Sequence, residues 1–225
     1  MKIVAVQRWA LVGIAVLCQA TAPGGDAAKG TANLKTAVTF TFDSDTPGNA
    51  PRGFAFARTG DGAEGTWVVR ADGANNHVLV QENADPTDYR FPVAVVKEGS
   101  YDDVTLSVRA KPVSGDVDQG FGLVWRYQDA NNYYITRCNA DEDNCTIYHT
   151  VGGRRRAFQN KSIAVPKNVW HTLKVDAVGN HFVVWLDGKQ VLDATDDTFK
   201  ASGRVGLWTK ADSVIQFDDL AIAPR

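Results

Sequence analysis

The residues best suited to chemistry lie in one short stretch, RYQDANNYYITRC, which runs from Arg126 to Cys138. An arginine within a strand and beside aromatic rings can donate paired hydrogen bonds to sugar hydroxyls or to a carboxylate. The stretch therefore predicts ligand-binding roles for Arg126, Tyr134 and Arg137, with the adjacent Trp125 contributing a ring. The alternative for Arg126 is structural, with its guanidinium stacked on Tyr134 and paired with a nearby acid.

Alternation along the two strands around this stretch predicts which side chains share a face. If Tyr127 pairs with Tyr133 across the hairpin, Trp125 falls on the same face as Arg137, and Arg126 falls on the opposite face. The hairpin then presents polar and aromatic groups side by side.

Two cysteines, Cys138 and Cys145, frame the acidic loop NADEDN. If the flanking strands run antiparallel, the two residues meet at about the 5.5 Å Cα separation that a disulfide requires, and export favours the oxidised pair. Two free buried cysteines are the alternative. A zinc site is disfavoured because no histidine stands at the spacing that would complete four ligands. Glu142, inside the loop, is expected to be an ordinary solvated carboxylate.

Short segments rich in β-branched and aromatic residues must position these groups, and turn residues separate the segments. The dipeptides Gly179-Asn180 and Asp187-Gly188 tolerate the positive φ of tight hairpins. Beyond the N-terminal region, no segment carries apolar residues at helical spacing. The sequence therefore predicts an all-β protein, an antiparallel sandwich or barrel. The predicted strands are 121–127, 133–138, 146–151, 171–177, 181–186, 204–209 and 214–222.

Three tryptophans, Trp170, Trp185 and Trp208, fall on the strand face opposite to the aliphatic side chains. If one sheet presents them outwards, their rings form a platform for sugars, whose C–H faces stack on aromatic rings. The alternative is that loops or a second sheet bury the rings. Alternation alone does not distinguish these arrangements.

Residues 1–22 have the features of a secretory signal peptide, with basic residues before an apolar run that is too short for a bilayer span. Small residues lead up to Ala22, near which we expect cleavage. Lipidation of Cys18 is the alternative, but Leu17 is larger than the residue that normally precedes a lipidated cysteine. We therefore expect a soluble protein in the periplasm or outside the cell.

The rest of the chain divides into a flexible leader at 23–37 and a single domain at 38–225. The net charge of the full chain is −2, which does not favour a nucleic-acid partner. The run Arg154–Arg156 follows two glycines and is interpreted as a solvated hairpin turn. No segment of the mature chain is predicted to span a membrane, and we expect a monomer.

The opening stretch is part of a longer pattern: GLVWRYQDANNYYITR at 122–137, VWHTLKVDAVGNHFVVWLDGK at 169–189, GRVGLWTKADSV at 203–214 and FDDLAI at 217–222. These segments resemble the concanavalin A-like lectin and glucanase superfamily, in particular its 3-keto-disaccharide hydrolase branch, and they also resemble laminin G-type modules. The resemblance implies a jelly roll of two antiparallel sheets, whose concave side holds carbohydrate in the members that bind ligands.

The resemblance also implies two kinds of site to look for. Retaining glycosidases of this superfamily carry E-x-D-x-x-E on a strand, with two carboxyl groups about 5 Å apart, but none of the four glutamates stands in that pattern. No catalytic residue is therefore assigned. Calcium-binding members place a carboxylate between the terminal strands, which implies a structural Ca²⁺ site at Asp43 and Asp218. The alternative is two aspartates bonded to nearby backbone in turns. No other cofactor is expected.

These observations favour an exported jelly-roll module that binds an oligosaccharide or glycan. One alternative is a hydrolase or lyase acting on a modified, 3-keto disaccharide, with carboxylates that come together only on folding. The other is a laminin G-like module that binds protein.

Overall fold

The computed structural model describes residues 36–225, so the predicted signal peptide and nearly all of the predicted leader lie outside the described residues. The described chain contains fifteen β-strands and no helix. In chain order the strands are β1 (Val38–Phe40), β2 (Phe54–Gly60), β3 (Trp67–Ala71), β4 (His77–Gln81), β5 (Arg90–Val96), β6 (Val104–Ser114), β7 (Gly120–Asp129), β8 (Asn132–Asn139), β9 (Asn144–Val151), β10 (Arg154–Ser162), β11 (His171–Val178), β12 (His181–Leu186), β13 (Lys189–Thr195), β14 (Arg204–Thr209) and β15 (Val214–Pro224).

The strands form two antiparallel sheets packed face to face. One sheet has eight strands in the order β13-β12-β11-β6-β15-β4-β3, and β1 pairs with β15 beside this path. The other has seven strands in the order β10-β9-β8-β7-β14-β5-β2. The predicted all-β antiparallel sandwich of jelly-roll type is therefore confirmed.

The core lies between the two sheets and follows the alternation of the strands. Every second residue of β6 is buried, including Leu106 and Val108. These side chains and Phe182 of β12, in the same sheet, join one apolar cluster with Leu123 and Trp125 of β7, which lie across the interlayer space. Burial of one side chain of this size contributes about 1.5–3 kcal/mol, so the alternating pattern fixes which face of each strand points inwards.

Tight turns set the register of the eight-stranded sheet. Asp187 and Gly188, between β12 and β13, have φ values of 51° and 77°, as a two-residue hairpin turn requires. Asp187 also accepts a hydrogen bond from the backbone amide of Thr172 at 2.7 Å. The two hairpins predicted from dipeptide chemistry are both present, since Gly179 and Asn180 connect β11 to β12.

A bulge in β7 changes the register that alternation predicts. Arg126 has a φ of 48°, in the left-handed region, and the pairing with β8 jumps between Trp125 and Asp129. Trp125 therefore pairs with Tyr134, and their rings stack 5.5 Å apart in the interlayer core. The prediction that Trp125 shares a face with Arg137 is wrong, because the assumed pair of Tyr127 and Tyr133 does not form. Directly opposite residues share a face, and Tyr134 is three residues from Arg137 on β8, so the two point to opposite faces.

The predicted disulfide is present. Cys138 and Cys145 face each other across β8 and β9, with 4.1 Å between their Cα atoms. Both residues are fully buried and belong to the interlayer core. The bond therefore closes the hairpin that carries the acidic loop, on the side that faces the other sheet.

Candidate functional site

The seven-stranded sheet curls towards its outer face. In a flat sheet β2 and β8, four strands apart, would lie about 19 Å from each other, because neighbouring strands are about 4.8 Å apart. Here the hydroxyl groups of Thr59 on β2 and Tyr133 on β8 lie 2.7 Å apart. We call this outer surface the concave face. Its buried side chains include Phe91, Tyr148 and Trp208.

Charged side chains from separate strands gather at one end of the concave face. Arg137, on β8, donates to Glu142 Oε2 at 2.7 Å and to the hydroxyl of Tyr148 at 3.1 Å. Lys210, directly after β14, donates to Asp118 Oδ2, just before β7, at 2.8 Å. We call the group formed by Asp118, Arg137, Asn139, Glu142, Asn144 and Lys210 the concave cluster.

Gly120 allows the two ion pairs of the concave cluster to approach each other. A Cβ atom at this position would lie 2.7 Å from Asp118 Oδ1 and 3.7 Å from both Arg137 Cδ and the Trp208 ring. A carbon atom and a carboxylate oxygen that are not bonded do not approach to 2.7 Å, so a larger residue at position 120 would push the Asp118 carboxylate away. Gly122, two residues on, lies directly opposite Arg137 in the β7–β8 pairing.

Burial governs the protonation of the Asp118–Lys210 pair. Asp118 is 1% exposed, and burial raises the pKa of its carboxyl group, against the opposing effects of Lys210 and Arg137. Burial also acts to lower the pKa of Lys210, but the hydrogen bonds to Asp118 and Asp88 outweigh it and leave that pKa raised. The Asp118 carboxyl group therefore takes up a proton at a higher pH than usual, and the Lys210 ammonium group keeps its proton to a higher pH than usual.

Four buried polar atoms of the concave cluster have no hydrogen-bond partner within residues 36–225. Two are donors, Arg137 Nη1 and Asn139 Nδ2, and two are acceptors, Asp118 Oδ1 and Asn144 Oδ1. Buried polar atoms are nearly always paired with protein, water or ligand, and an unpaired one costs about 1–3 kcal/mol. The cluster can therefore offer both donors and acceptors to a bound molecule.

Arg155, at the start of β10, covers the middle of the concave face. Its guanidinium carbon lies 4.4 Å, 4.5 Å and 5.3 Å from the ring centres of Tyr148, Phe91 and Trp208. The hydroxyl of Tyr89 accepts a hydrogen bond from the Arg155 backbone amide at 2.9 Å and holds the β9–β10 hairpin down. The interpretation of this arginine as a solvated turn residue is wrong, because the curl of the sheet turns its side chain onto the rings.

The structure places Trp208 on the concave face and Arg137 in the concave cluster. Trp208 is nevertheless fully buried, because Arg155 covers its ring on one side and Phe91 stacks on it at 5.3 Å. In this conformation Trp208 presents no open ring face to a ligand, and neither does Trp125, which lies in the interlayer core.

Trp170 and Trp185 lie on the other side of the sandwich, on the outer face of the eight-stranded sheet. Both are half-buried. The Arg109 guanidinium lies 4.8 Å from the Trp170 ring, and the Lys174 ammonium lies 4.3 Å from the Trp185 ring. The expectation of one platform built from three tryptophans is therefore wrong, because Trp208 belongs to the opposite sheet. Ligand-binding roles for Trp170 and Trp185 remain predictions.

Arg126 lies outside the concave cluster and binds backbone. Its guanidinium donates to the carbonyl groups of Asp102, Gly179 and Phe199, which belong to three different loops. Arg126 is 5% exposed, and every nitrogen of its guanidinium has an acceptor. The side chain therefore ties these loops together. This agrees with the structural alternative, which also expected an acid partner, since the Asp103 carboxylate lies 3.8 Å from Arg126 Nη2.

Tyr134 points away from the concave face. Its hydroxyl donates to Asp196 Oδ1 at 2.6 Å, and burial raises the pKa of Tyr134 to about 12. A cavity of about 270 Å³ lies beside these residues. The residues lining it are Arg126, Gly179, Asn180, Asp196, Asp197, Phe199 and Lys200.

The surroundings of Asp43 and Asp218 do not fit a calcium ion. Asp43 accepts a hydrogen bond from the backbone amide of His77 at 2.9 Å, and Asp218 lies 3.4 Å from both Asn76 Nδ2 and Arg109 Nη1. Calcium requires six to eight oxygen ligands, whereas these neighbours are N–H donors. Among residues 36–225 no three His, Cys, Asp or Glu side chains are grouped as metal ligands.

Sequence reasoning missed most of the concave cluster. Asp118 and Lys210 are 92 residues apart, and neither stands in a recognisable motif. Glu142 is paired with Arg137 instead of being freely solvated, and the bond lowers the pKa of its carboxyl group against the effect of burial. The signal that was available is local: Glu142 follows Arg137 by five residues in a hairpin closed by two cysteines.

Comparison with solved structures supports the fold. The carbohydrate binding module CBM66 from Bacillus subtilis is 23% identical, with a TM-score of 0.58 over 73% of this chain and 92% of that chain. The exoplasmic/lumenal domain of VIP36, in a Ca²⁺/Man3GlcNAc-bound form, is 9% identical, with a TM-score of 0.57 over 77% of this chain and 84% of that one. A protein of unknown function from Shewanella oneidensis MR-1 is 12% identical, with a TM-score of 0.54 over 90% and 95%.

Other comparisons concern the membrane and the family. Within residues 36–225 no helix is long and apolar enough to cross a bilayer. Curated proteins give no match to the chain. The family model described as the 3-keto-alpha-glucoside-1,2-lyase-like domain matches residues 42–223, which agrees with the branch that the sequence segments resemble. The chain therefore belongs to the family of 3-keto-alpha-glucoside-1,2-lyase-like domains.

Proposed function

We propose that this protein is an exported carbohydrate-binding module and that it holds its ligand on the concave face, over the concave cluster. The observation that carries the proposal is the set of unpaired buried donors and acceptors at Asp118, Arg137, Asn139 and Asn144. A sugar hydroxyl both donates and accepts hydrogen bonds, so a ligand rich in hydroxyl groups matches such a mixed set.

The fold is compatible with this role. The similar structures include a carbohydrate binding module and a domain bound to Man3GlcNAc. Arg137 is the strongest candidate for a direct contact, because hydrogen bonds from a charged group contribute about 1.5–3 kcal/mol. Trp208 acts from below by supporting the cluster and Arg155, since its ring is covered.

A binding experiment with a matched arginine control tests the proposal. Purified protein is screened on a glycan array, and the ligands found are titrated by calorimetry against wild type, Arg137→Met and Arg109→Met. We expect Arg137→Met to weaken binding by about tenfold or more, and Arg109→Met, on the opposite sheet, to bind as wild type does. Circular dichroism and thermal unfolding establish that each variant is folded.

Two outcomes contradict the proposal. One is a folded wild-type protein that binds none of the glycans, and the other is an unchanged affinity in Arg137→Met. If Arg137→Met does not fold, Asn144→Ala, a partly exposed position with an unpaired carbonyl, provides the same measurement. N-terminal sequencing of protein recovered outside the cytoplasm tests export, with cleavage near Ala22 as the expected result.

A second candidate function is elimination from a 3-keto-α-glucoside, and Asp118 favours it. A ketone at C3 makes the proton on C2 acidic, and its removal by a general base allows the C1–O bond to break. Asp118 has a raised pKa and one unpaired carboxylate oxygen, which suits it to accept that proton beside Lys210. Turnover of a 3-keto-α-glucoside that is lost in Asp118→Asn, with ligand binding retained, supports this function, and a folded wild type without turnover refutes it.

A further inference from the structure

Arg155 is a cation without an anionic partner. Its guanidinium lies against three aromatic rings. Within residues 36–225 it forms no ion pair shorter than 4.0 Å, whereas Arg137 and Lys210 both do. Its Nη1 atom is buried and lacks a hydrogen-bond partner in the same part of the chain. Contacts with rings stabilise a cation, but they do not satisfy its N–H groups.

The acids of the concave cluster already bind other cations. Glu142 lies 2.7 Å from Arg137, and Asp118 lies 2.8 Å from Lys210. Of the charged side chains in the concave cluster, Arg137, Lys210 and Asp118 are buried. The Glu142 side chain is 43% exposed. The buried part of the cluster therefore holds two cations and one acid. Burial lowers the pKa of Arg155, as expected for a cation whose desolvation is not offset by a paired anion.

Arg137 and Arg155 flank the same ring. Their guanidinium carbons lie 5.8 Å and 4.4 Å from the ring centre of Tyr148. Each leaves its Nη1 atom unpaired. Two guanidinium groups with unpaired donors beside one ring form a cationic site that suits a carboxylate, because its oxygens accept hydrogen bonds from guanidinium N–H groups.

We propose that Arg155, together with Arg137, selects an otherwise neutral glycan in which one uronic acid residue carries a carboxylate group. This inference rests on the proposed function. The uronate carboxylate supplies the anion that Arg155 lacks, and the remaining hydroxyl groups bind the concave cluster. Glu142 and Asp88 stand at the rim and repel a densely charged polyanion, so the ligand carries its acidic residues singly. Arg155 is partly exposed to solvent, and its side chain must turn for the buried Nη1 atom to meet the carboxylate.

Matched acid and ester ligands test the proposal without any mutation. Oligosaccharides that contain one glucuronic, galacturonic or mannuronic acid are titrated into the protein beside their methyl esters, which keep the sugar and lose the charge. We expect at least one acid to bind about tenfold more tightly than its ester, and the difference to shrink as salt is added. Quenching of tryptophan fluorescence, with Trp208 beneath Arg155, reports the binding.

Variants then assign the preference to one side chain. In Arg155→Gln the preference for the acid over its ester should fall well below that of wild type, with Arg137 accounting for what remains, while Arg154→Gln, an exposed neighbour, should keep the wild-type preference. If Arg155→Gln does not fold, Arg155→Lys keeps the charge and should retain a reduced preference.

The outcomes separate this inference from the function on which it rests. Esters or neutral glycans that bind as tightly as the acids overturn the uronate inference and leave carbohydrate binding intact. A folded wild type that binds neither acidic nor neutral glycans overturns both. An acid preference in Arg155→Gln that equals that of wild type overturns the role of Arg155.

Discussion

Removal of the Cys138–Cys145 disulfide should cost the protein a large part of its stability. The bond joins residues seven positions apart, and restricting the unfolded chain with a loop of this size is worth about 2.5 kcal/mol in the chain-entropy treatment. Both cysteines are fully buried, and deleting a buried group of about methyl size costs about 1 kcal/mol more. Each single Cys→Ala variant should therefore lose about 3.5 kcal/mol of unfolding free energy, and the double variant about 4.5 kcal/mol.

Urea unfolding followed by tryptophan fluorescence, without reductant, measures these values. The comparison of either single variant with the double variant isolates the cost of one sulfur, because the loop is open in all three. The stability lost by a single variant, less the cost of one sulfur, is the contribution of loop closure. A stability of Cys138→Ala or Cys145→Ala within about 1 kcal/mol of wild type would refute the reasoning, since it would mean that the open loop gains little freedom in the unfolded chain.

Two further predictions concern one buried ring and one buried acid. Trp125→Ala should lower the unfolding free energy by about 3–5 kcal/mol because its ring is fully buried against Phe182. Trp185 is half-buried on the outer face, so Trp185→Ala should lie within about 1 kcal/mol of wild type. Equal losses of unfolding free energy in urea would contradict the assignment of the two faces. Burial raises the folded-state pKa of Asp118 above its unfolded value, so the folded state takes up this proton first as the pH falls. The stability of wild type relative to Asp118→Asn should therefore rise as the pH falls towards about 4, the ordinary pKa of an aspartate. A stability difference that stays flat or decreases as the pH falls would contradict the raised pKa.

Local chemistry predicted the all-β class and the hairpins, whereas the jelly roll was predicted from the family resemblance. Strands such as β6 and β11 alternate buried and exposed residues along their length, and alternation of this kind is visible in the sequence. Turn residues such as Asp187 and Gly188 determine the hairpins by their tolerance of positive φ. The bulge at Arg126 was not predictable in the same way, because an arginine carries no intrinsic preference for the left-handed region and adopts it here while its guanidinium binds three loops.

The candidate site depends on contacts that sequence patterns do not contain. Alternation correctly separated Trp208 from Leu207, but it gives no information on sheet curvature, and curvature brings Arg155 onto the Trp208 ring. Lys210 and Asp118 lie beside strands that are neighbours in the sheet and distant in the chain. Arg137 was predicted as a ligand-binding residue from its place beside aromatic residues in a strand, but its partners Glu142 and Tyr148 were not predicted.

The disulfide and the concave cluster occupy opposite sides of one hairpin, and this arrangement gives the disulfide a second consequence. Side chains alternate along β8 and β9, so Cys138 and Cys145 point into the core while Arg137 and Asn144 point to the concave face. The bond fixes the register of the hairpin end, and with it the turn from which Glu142 reaches Arg137 at 2.7 Å. In the proposed function, ligand selection rests on Arg155, which covers the aromatic surface of the concave face, and on these polar atoms, whose positions depend on that register. A hairpin held rigid from its buried side is what such recognition requires, since donors and acceptors discriminate between sugars only when their spacing is fixed.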